Sequence, residues 1–244
     1  MRVHFVLHES FEAPGAYLDW AQTRGHEISM TKVYQSEQLP QTADAIDFLI
    51  VMGGPQSPDP DLEAFPYYHP EEEIKLIRSA LSKDRYILGI CLGAQLLSQA
   101  YGAQYEPSPE REIGNYPIEL TAEGLKDQHL QHLGEQLVVG HWHGDMPGLV
   151  QGAQVLAASQ GCPRQIVRFS PKHYAFQAHL ELTHELVELL IAAEGREALL
   201  AQSQCHPFIQ TPEEILHYHY AEMNEKLGAF LDSLTESTSS TSAE

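Results

Sequence analysis

The chain has 244 residues, 43% of them hydrophobic, which is long enough to bury a sizeable core and too apolar for wholesale disorder. Lys and Arg number 14 against 34 Asp and Glu, a formal charge of −20, which argues against nucleic acid or an anionic membrane surface as a partner. Three cysteines, Cys91, Cys162 and Cys205, are an odd number without metal-ligand spacing, so they read as reduced thiols rather than a disulfide framework.

Val3 to Leu7 reads as a buried strand; His4 and His8 break up the N-terminus too early for a signal-peptide core. No apolar run reaches membrane-spanning length, and a cytoplasmic protein is expected. Pro14 to Arg24 reads as a helix that Gly25 is placed to end. Ile46 to Met52 is a continuous apolar strand running into Gly53-Gly54-Pro55. Pro70-Glu71-Glu72-Glu73 has the composition of a first helical turn, with proline at an orphan N–H position and carboxylates at the positive end of the dipole. Tyr86 to Ile90 is the next strand, followed by helical spacing to Ala100 and a stop at Gly102.

Strands separated by helices imply parallel pairing and a layered architecture. The expected fold is a three-layer, flavodoxin-like α/β arrangement: an open, mostly parallel sheet with helices on both faces. Beyond Gly102 the pattern changes to short strand-like runs, Ile118 to Leu120, Leu137 to Gly140, Val155 to Ala158, Ile166 to Phe169 and Tyr174 to Gln177. The turn residues from Ser159 to Pro163 suggest a hairpin, and hence a short antiparallel region. A helix follows from Thr183 to Ala193. Thr211-Pro212-Glu213-Glu214 then carries a capping box, and Leu216, Tyr220, Met223, Leu227, Phe230 and Leu234 form the apolar face of a C-terminal helix. That face reads as docking onto the body of the protein, with a homodimer seam as the minority alternative. Residues 1–234 are expected to form a single domain, and the Ser- and Thr-rich 235–244 a disordered tail.

The most informative stretch is Gly89-Ile90-Cys91-Leu92-Gly93, a thiol between two glycines where a strand gives way to a helix. This is the pattern of a nucleophile elbow, in which small residues either side let strand and helix pack closely and the turn lifts the nucleophile to the sheet edge. A helix N-terminus favours the thiolate, and the Leu92 N–H would face a developing oxyanion. A nucleophile needs a base, and the base an orienting acid. His179 and Glu181, two apart at the end of a strand, put both side chains on one face. Taken singly, the elbow also fits a buried core cysteine, and the His-Glu pair an ordinary polar strand end.

In order, Gly53-Gly54-Pro55, the Cys91 elbow, His143-Gly144-Asp145 and His179-Leu180-Glu181 resemble the motifs of the class I glutamine amidotransferases, the family that includes the amidotransferase domain of GMP synthetase. The resemblance runs from about Ile46 to Leu190, and Glu112 to Pro117 looks like the segment after the elbow in stand-alone members. It implies that Cys91 attacks the side-chain amide of glutamine, His179 manages the proton and Glu181 holds the imidazole. It further implies an oxyanion hole from the N–H groups of Leu92 and the Gly53-Gly54 loop, and substrate contacts from Gly53, Gln95, Trp142 and His143. Leu180 replaces the family's proline, and Trp142 a frequent serine.

No synthetase-sized segment follows Leu190 and no phosphate-cradling Gly-Lys-Ser/Thr loop occurs, so either a separate ammonia-accepting subunit or a stand-alone γ-glutamyl hydrolase is expected. His141, His143 and Asp145 also spell a His-x-His-x-Asp pattern of binuclear metallohydrolases. Met146 stands where a further ligand is needed, and neither metal nor cofactor is expected. Cys162 and Cys205 read as non-catalytic. An α/β-hydrolase places its acid well before its histidine, unlike the order here; a non-catalytic binding domain is the remaining alternative.

Overall fold

A computed structural model describes residues 1–59 and 61–236. Nine strands make one continuous sheet in the order β2-β1-β3-β4-β9-β8-β7-β5-β6. Its first half contains β1 (Arg2–Leu7), β2 (Glu27–Lys32), β3 (Phe48–Val51), β4 (Tyr86–Ile90) and β9 (His173–Phe176), which pair with one another in parallel. Its second half continues from β9 through β8 (Ile166–Ser170), β7 (Gln154–Ala158), β5 (Glu106–Leu120) and β6 (Gln136–Met146) in antiparallel pairing. The turn at Ser159 to Pro163 joins β7 and β8 as a hairpin, with Ser159 N donating to Cys162 O at 2.8 Å.

The parallel strands are apolar on both sides because both sides are covered. Phe5, Phe48, Ile50, Leu88 and Ile90 point into a core closed by α1 (Gly15–Thr23), α4 (His184–Glu194) and α7 (Ala221–Glu236). Val6, Leu49, Val51 and Ile87 point to the opposite face, against α2 (Pro70–Ser82) and α3 (Leu92–Tyr101). Each element has the local chemistry its sequence suggests: Pro70 opens α2 ahead of three glutamates, Gly102 ends α3 at φ +100°, and Thr183 caps α4.

Three features depart from expectation. The antiparallel region is extensive, because β5 and β6 run 15 and 11 residues and take in the Glu112 and His143 segments, which lie beyond the short runs Ile118 to Leu120 and Leu137 to Gly140. The edge strand β2, with only Thr31 buried, and α5 (Arg196–Ser203) have no counterpart among the elements read from sequence. The C-terminal helix is two helices, α6 (Pro212–Leu216), which keeps the Thr211–Glu214 capping box, and α7. The break has a local cause: the Ile215 carbonyl, needed to continue α6, accepts from the Tyr220 hydroxyl at 2.9 Å and from Asn115 Nδ2 at 3.4 Å. Met223, Leu227, Phe230 and Leu234 are fully buried, so the apolar face docks onto the body of the protein. Thr235 and Glu236 belong to α7, which moves the start of the proposed tail; 237–244 lie outside the described residues. Among the described residues, no helix is long and apolar enough to cross a membrane.

Candidate active site

Cys91 sits at the junction of β4 and α3 with φ 49° and ψ −106°, a conformation a non-glycine residue adopts only under constraint. The constraint is hydrogen bonding and close packing. Cys91 N donates to Phe176 O at 2.8 Å, and the Cys91 carbonyl accepts from Ala94 N and Gln95 N. A Cβ on Gly89 would lie 2.2 Å from the Gly93 carbonyl oxygen, and one on Gly93 would lie 2.0 Å from that of Val51. The two glycines of the elbow thus let α3 rest directly on β4 and its neighbour β3.

His179 and Glu181 follow the end of β9, and three contacts fix them. His179 exchanges both backbone hydrogen bonds with Gly140 of β6, at 2.8 and 3.1 Å. The Glu181 carbonyl accepts from Ala16 N at 3.0 Å at the start of α1, where a Cβ on Gly15 would come within 2.2 Å of it. Asn224 of α7 donates to the carbonyls of Leu180 and Leu182 at 2.8 and 3.1 Å. Leu180 is fully buried, so packing and these bonds supply the rigidity a proline would give.

His179 Nδ1 lies 2.7 Å from Glu181 Oε1, and both residues are buried. Burial opposes a charged imidazole, but Glu181 and the neighbouring Cys91 together hold His179 well above its ordinary value. Burial pushes the Cys91 thiol up, against the pull of His179 and of the Leu92 N–H. His179 Nε2 and Glu181 Oε2 are buried without a hydrogen-bond partner in the protein. A Cβ placed on Gly53 would meet both His179 Cε1, at 3.2 Å, and Cys91 Cβ, at 3.3 Å. Cys91 and His179 therefore meet at the Gly53 backbone, and Glu181 joins them through the His179 ring.

In front of Cys91 opens a pocket of about 360 Å³. Of the residues singled out from sequence, Gly54, Cys91, Gln95, Trp142 and His143 line it. Gly53, His179 and Glu181 stand behind that wall. Leu92 opens α3 with its side chain buried and is not part of the pocket lining. Gln95 is anchored through Nε2 to Gln177 Oε1 at 3.4 Å, and the Trp142 carbonyl lies 3.8 Å from Cys91 Sγ.

Three features of the site escape sequence reading. Glu12, from the loop after β1, lines the pocket, and its Oε2 lies where a Gly53 Cβ would come within 2.2 Å. Burial raises its carboxyl to about 7, against the pull of His179 and His8. His8 accounts for the shape of the Gly-Gly-Pro loop. Its Nδ1 lies 3.0 Å from Gly53 O and its Nε2 lies 2.8 Å from Glu73 Oε2, so the fully buried ring bridges the loop to α2. Both partners are acceptors, and although burial opposes it, Glu73 lifts His8 above its ordinary value. Arg111 of β5 stands at the pocket rim, bonded to Glu194 at 3.0 Å and Gln202 at 2.7 Å. None of these carries a linear signal: each is a single charged residue brought in by the sheet order.

Deeper, on the far side of His143, Glu112 of β5 faces His141 and His143 of β6 in a buried group. Burial lowers His141 to about 3, and although burial pushes the Glu112 carboxyl the other way, the two histidines hold it below its ordinary value.

The fold is a mostly parallel α/β sheet with a thiol in a strained elbow and a buried His-Glu pair beside it. The chain belongs to the class I glutamine amidotransferases, whose family model matches residues 19–194. It is 52% identical over 235 residues to the glutamine amidotransferase-like protein YfeJ of Salmonella typhimurium, covering 96% of this chain and 98% of that one. Anthranilate synthase component 2 of Helicobacter pylori matches 51% of the chain and 59% of its own length at 39% identity. The crystal structure of SMU.1228c superposes with a TM-score of 0.94 at 57% identity, over 96% of this chain and all of that one. A glutamine amidotransferase of Thermotoga maritima shares the fold, with a TM-score of 0.82 at 22% identity over 96% of this chain and 97% of that one.

Proposed function

We propose that the chain hydrolyses the side-chain amide of glutamine through a γ-glutamyl thioester on Cys91. The observation that carries this reading is the meeting of Cys91 and His179 at Gly53, with Glu181 bonded to the far side of the imidazole and a pocket opening at Cys91. The Cys91 thiol gives its proton to His179 Nε2 as sulfur bonds to the amide carbon. The carbonyl π electrons move onto oxygen, held by the N–H groups of Leu92 and Gly54. His179 returns the proton to the nitrogen, the C–N bond breaks and ammonia leaves. Water, deprotonated by His179, then cleaves the thioester to give glutamate and restore the thiol. Glu181 keeps the imidazole in the tautomer with Nε2 free and stabilises the imidazolium.

The pocket offers opposite charges to the zwitterionic end of an amino acid: Glu12 for the α-ammonium and Arg111 for the α-carboxylate. Gln95, Trp142 and His143 complete the walls, and Gly53 supports them from behind. Residues 1–234 act as one domain in a cytoplasmic protein. An ammonia acceptor is a separate subunit, a reading supported by the relative named as a synthase component. Hydrolysis of γ-glutamyl compounds is the second reading, because the same γ-glutamyl thioester forms on Cys91 whichever amine leaves the γ-carbonyl.

Ammonia release from glutamine, followed together with the intact mass of the protein, tests the proposal. The native chain should accumulate a γ-glutamyl adduct on Cys91 and be titrated by a diazo-oxo-norleucine electrophile. Full ammonia release by Cys91→Ala would sink it.

A further inference from the structure

Sequence reading sets aside a metal because the histidine pattern on β6 lacks a further ligand. The sheet supplies one from the neighbouring strand. Glu112 of β5 pairs directly with His143 of β6, and His141, two residues away, faces the same side. Glu112 Oε2 lies 3.5 Å from His141 Nδ1 and 3.3 Å from His143 Nε2, and those two nitrogens are 3.4 Å apart. Three donor atoms thus form a nearly equilateral triangle. A tetrahedral ion with bonds of roughly 2.0–2.1 Å keeps its donors about 3.3–3.4 Å apart, so an ion just above this triangle reaches all three without side-chain movement.

The surrounding hydrogen bonds already orient each donor as a ligand. His141 Nε2 lies 3.2 Å from the Tyr116 carbonyl, which fixes its proton there and leaves the Nδ1 lone pair facing the triangle. Glu112 Oε1 accepts from Ser159 Oγ at 2.7 Å and Gly161 N at 3.2 Å, turning Oε2 inward. A Cβ on Gly161 would lie 2.7 Å from that carboxylate oxygen, so the glycine is what allows this approach.

Without an ion, Glu112 Oε2 accepts from Gln165 Nε2 at 2.6 Å and Ser159 Oγ at 2.9 Å, so His141 Nδ1 is the donor atom that depends on the single proton of His143 Nε2, 3.4 Å away. His143 Nδ1 is buried without a partner and is free to take that proton instead. Gln165 is fully buried beside the group, with Nε2 2.6 Å from Glu112 Oε2 and 3.2 Å from His143 Nε2, while its Oε1 has no partner. Rotating that amide by half a turn presents an oxygen to the triangle as a fourth donor. Asp145, the acid of the linear pattern, is not part of the group.

We propose that Glu112, His141 and His143 bind one divalent transition ion, with zinc the natural fit to a two-nitrogen, one-carboxylate set. The ion clamps β5 to β6 and fixes the His143 ring in the pocket wall. It takes no part in the chemistry proposed for Cys91, and the inference stands whether or not the pocket hydrolyses glutamine.

The test uses the full chain stripped with chelator and dialysed against Zn²⁺ or Co²⁺, with bound metal counted by mass spectrometry. One equivalent is expected, together with a Tm that rises with zinc and falls again with chelator. Glu112→Gln and His141→Asn should each weaken binding at least 100-fold, whereas Asp145→Asn and Cys91→Ala should retain it. Pulsed EPR of the Cu²⁺-loaded native chain needs no variant and should show two imidazole nitrogens. Any of four results overturns the proposal: less than a fifth of an equivalent bound, affinity unchanged in both ligand variants, a thiolate charge-transfer band with Co²⁺ that Cys91→Ala removes, or fewer than two imidazole nitrogens.

Discussion

Replacing Glu12 by glutamine should stabilise the protein, and only at the upper end of the pH range. The carboxyl is raised from an ordinary 4.5 to about 7, so between those values the folded state holds a proton that the unfolded state has released. Stability then falls as pH rises through this window. The whole cost is absent below about pH 4.5 and fully present above about pH 7. The difference between about 7 and 4.5 corresponds to roughly 3 kcal/mol, an upper limit. That net shift already includes the attraction of the ionised carboxylate to His179 and His8; solvent screening at a side chain that is only partly buried brings the working figure to about 2 kcal/mol. For a chain of this length that is a rise of roughly 4–8 °C in Tm. Denaturant unfolding of both proteins at half-unit steps from pH 4.5 to 8 gives the answer directly. The curves should coincide at the acid end and separate steadily toward pH 8, with the variant on top. A gap independent of pH, or a variant less stable at pH 8, refutes the reasoning. The same variant should raise KM for glutamine more than it lowers kcat, because Glu12 is assigned to the α-ammonium. It should also move Cys91 alkylation to lower pH, since a negative neighbour holds the thiol protonated.

Gly53→Ala and Gly93→Ala should fail in opposite ways. The first meets the movable end of Glu12 and grazes His179 and Cys91, so activity falls about 10–100-fold with Tm nearly unchanged; the second meets the Val51 backbone at 2.0 Å and should lower Tm sharply or prevent folding. Glu181→Gln keeps the shape but removes the charge that lifts His179, and kcat should drop by roughly 10²–10⁴ with the imidazole titrating at lower pH. Phe230→Ala opens a cavity against Tyr174 and Phe176, whose rings lie 5.2 and 4.9 Å away, and should cost about 3–5 kcal/mol in chemical denaturation without moving KM.

What the sequence makes legible is set by how local each signal is. The elbow reads well because sterics confine it to five consecutive residues, and the His179–Glu181 pair because two strand positions share a face. The parallel strands read well because they are buried on both sides and hence continuously apolar. β2 is an edge strand whose alternation, Ile28 and Met30 between polar neighbours, is too short to stand out beside the continuous apolar runs of the central strands. The C-terminal stripe keeps helical spacing across the break between α6 and α7, where the Ile215 carbonyl is taken by the hydroxyl of Tyr220, itself part of the stripe, and by Asn115 of β5. Glu12, His8 and Glu112 share that character. Each acquires its partner only when strands distant in sequence become neighbours, as Glu112 does across the β5–β6 register.

Several unfavourable arrangements collect at one place: the backbone of Cys91, the raised carboxyl of Glu12 and the unpartnered atoms of His179 and Glu181. Each is a cost in the folded state that the surrounding structure sustains, so relieving one at a time should stabilise the chain while disabling the site. Cys91 offers the clearest case, because the strain can be separated from the thiol. Alanine keeps the Cβ and hence the strain at φ 49°; glycine removes it. In ordinary backbone, glycine is less stable than alanine by about 0.5–1 kcal/mol. The strain relieved is about 1–3 kcal/mol, which outweighs that entropy, so Cys91→Gly should be the more stable of the two by about 1 kcal/mol. Both variants lose the sulfur, so the comparison isolates the backbone. Equilibrium unfolding of the two side by side decides it: the usual order, alanine above glycine, would mean that the elbow holds no strain and that Cys91 owes its position to packing alone.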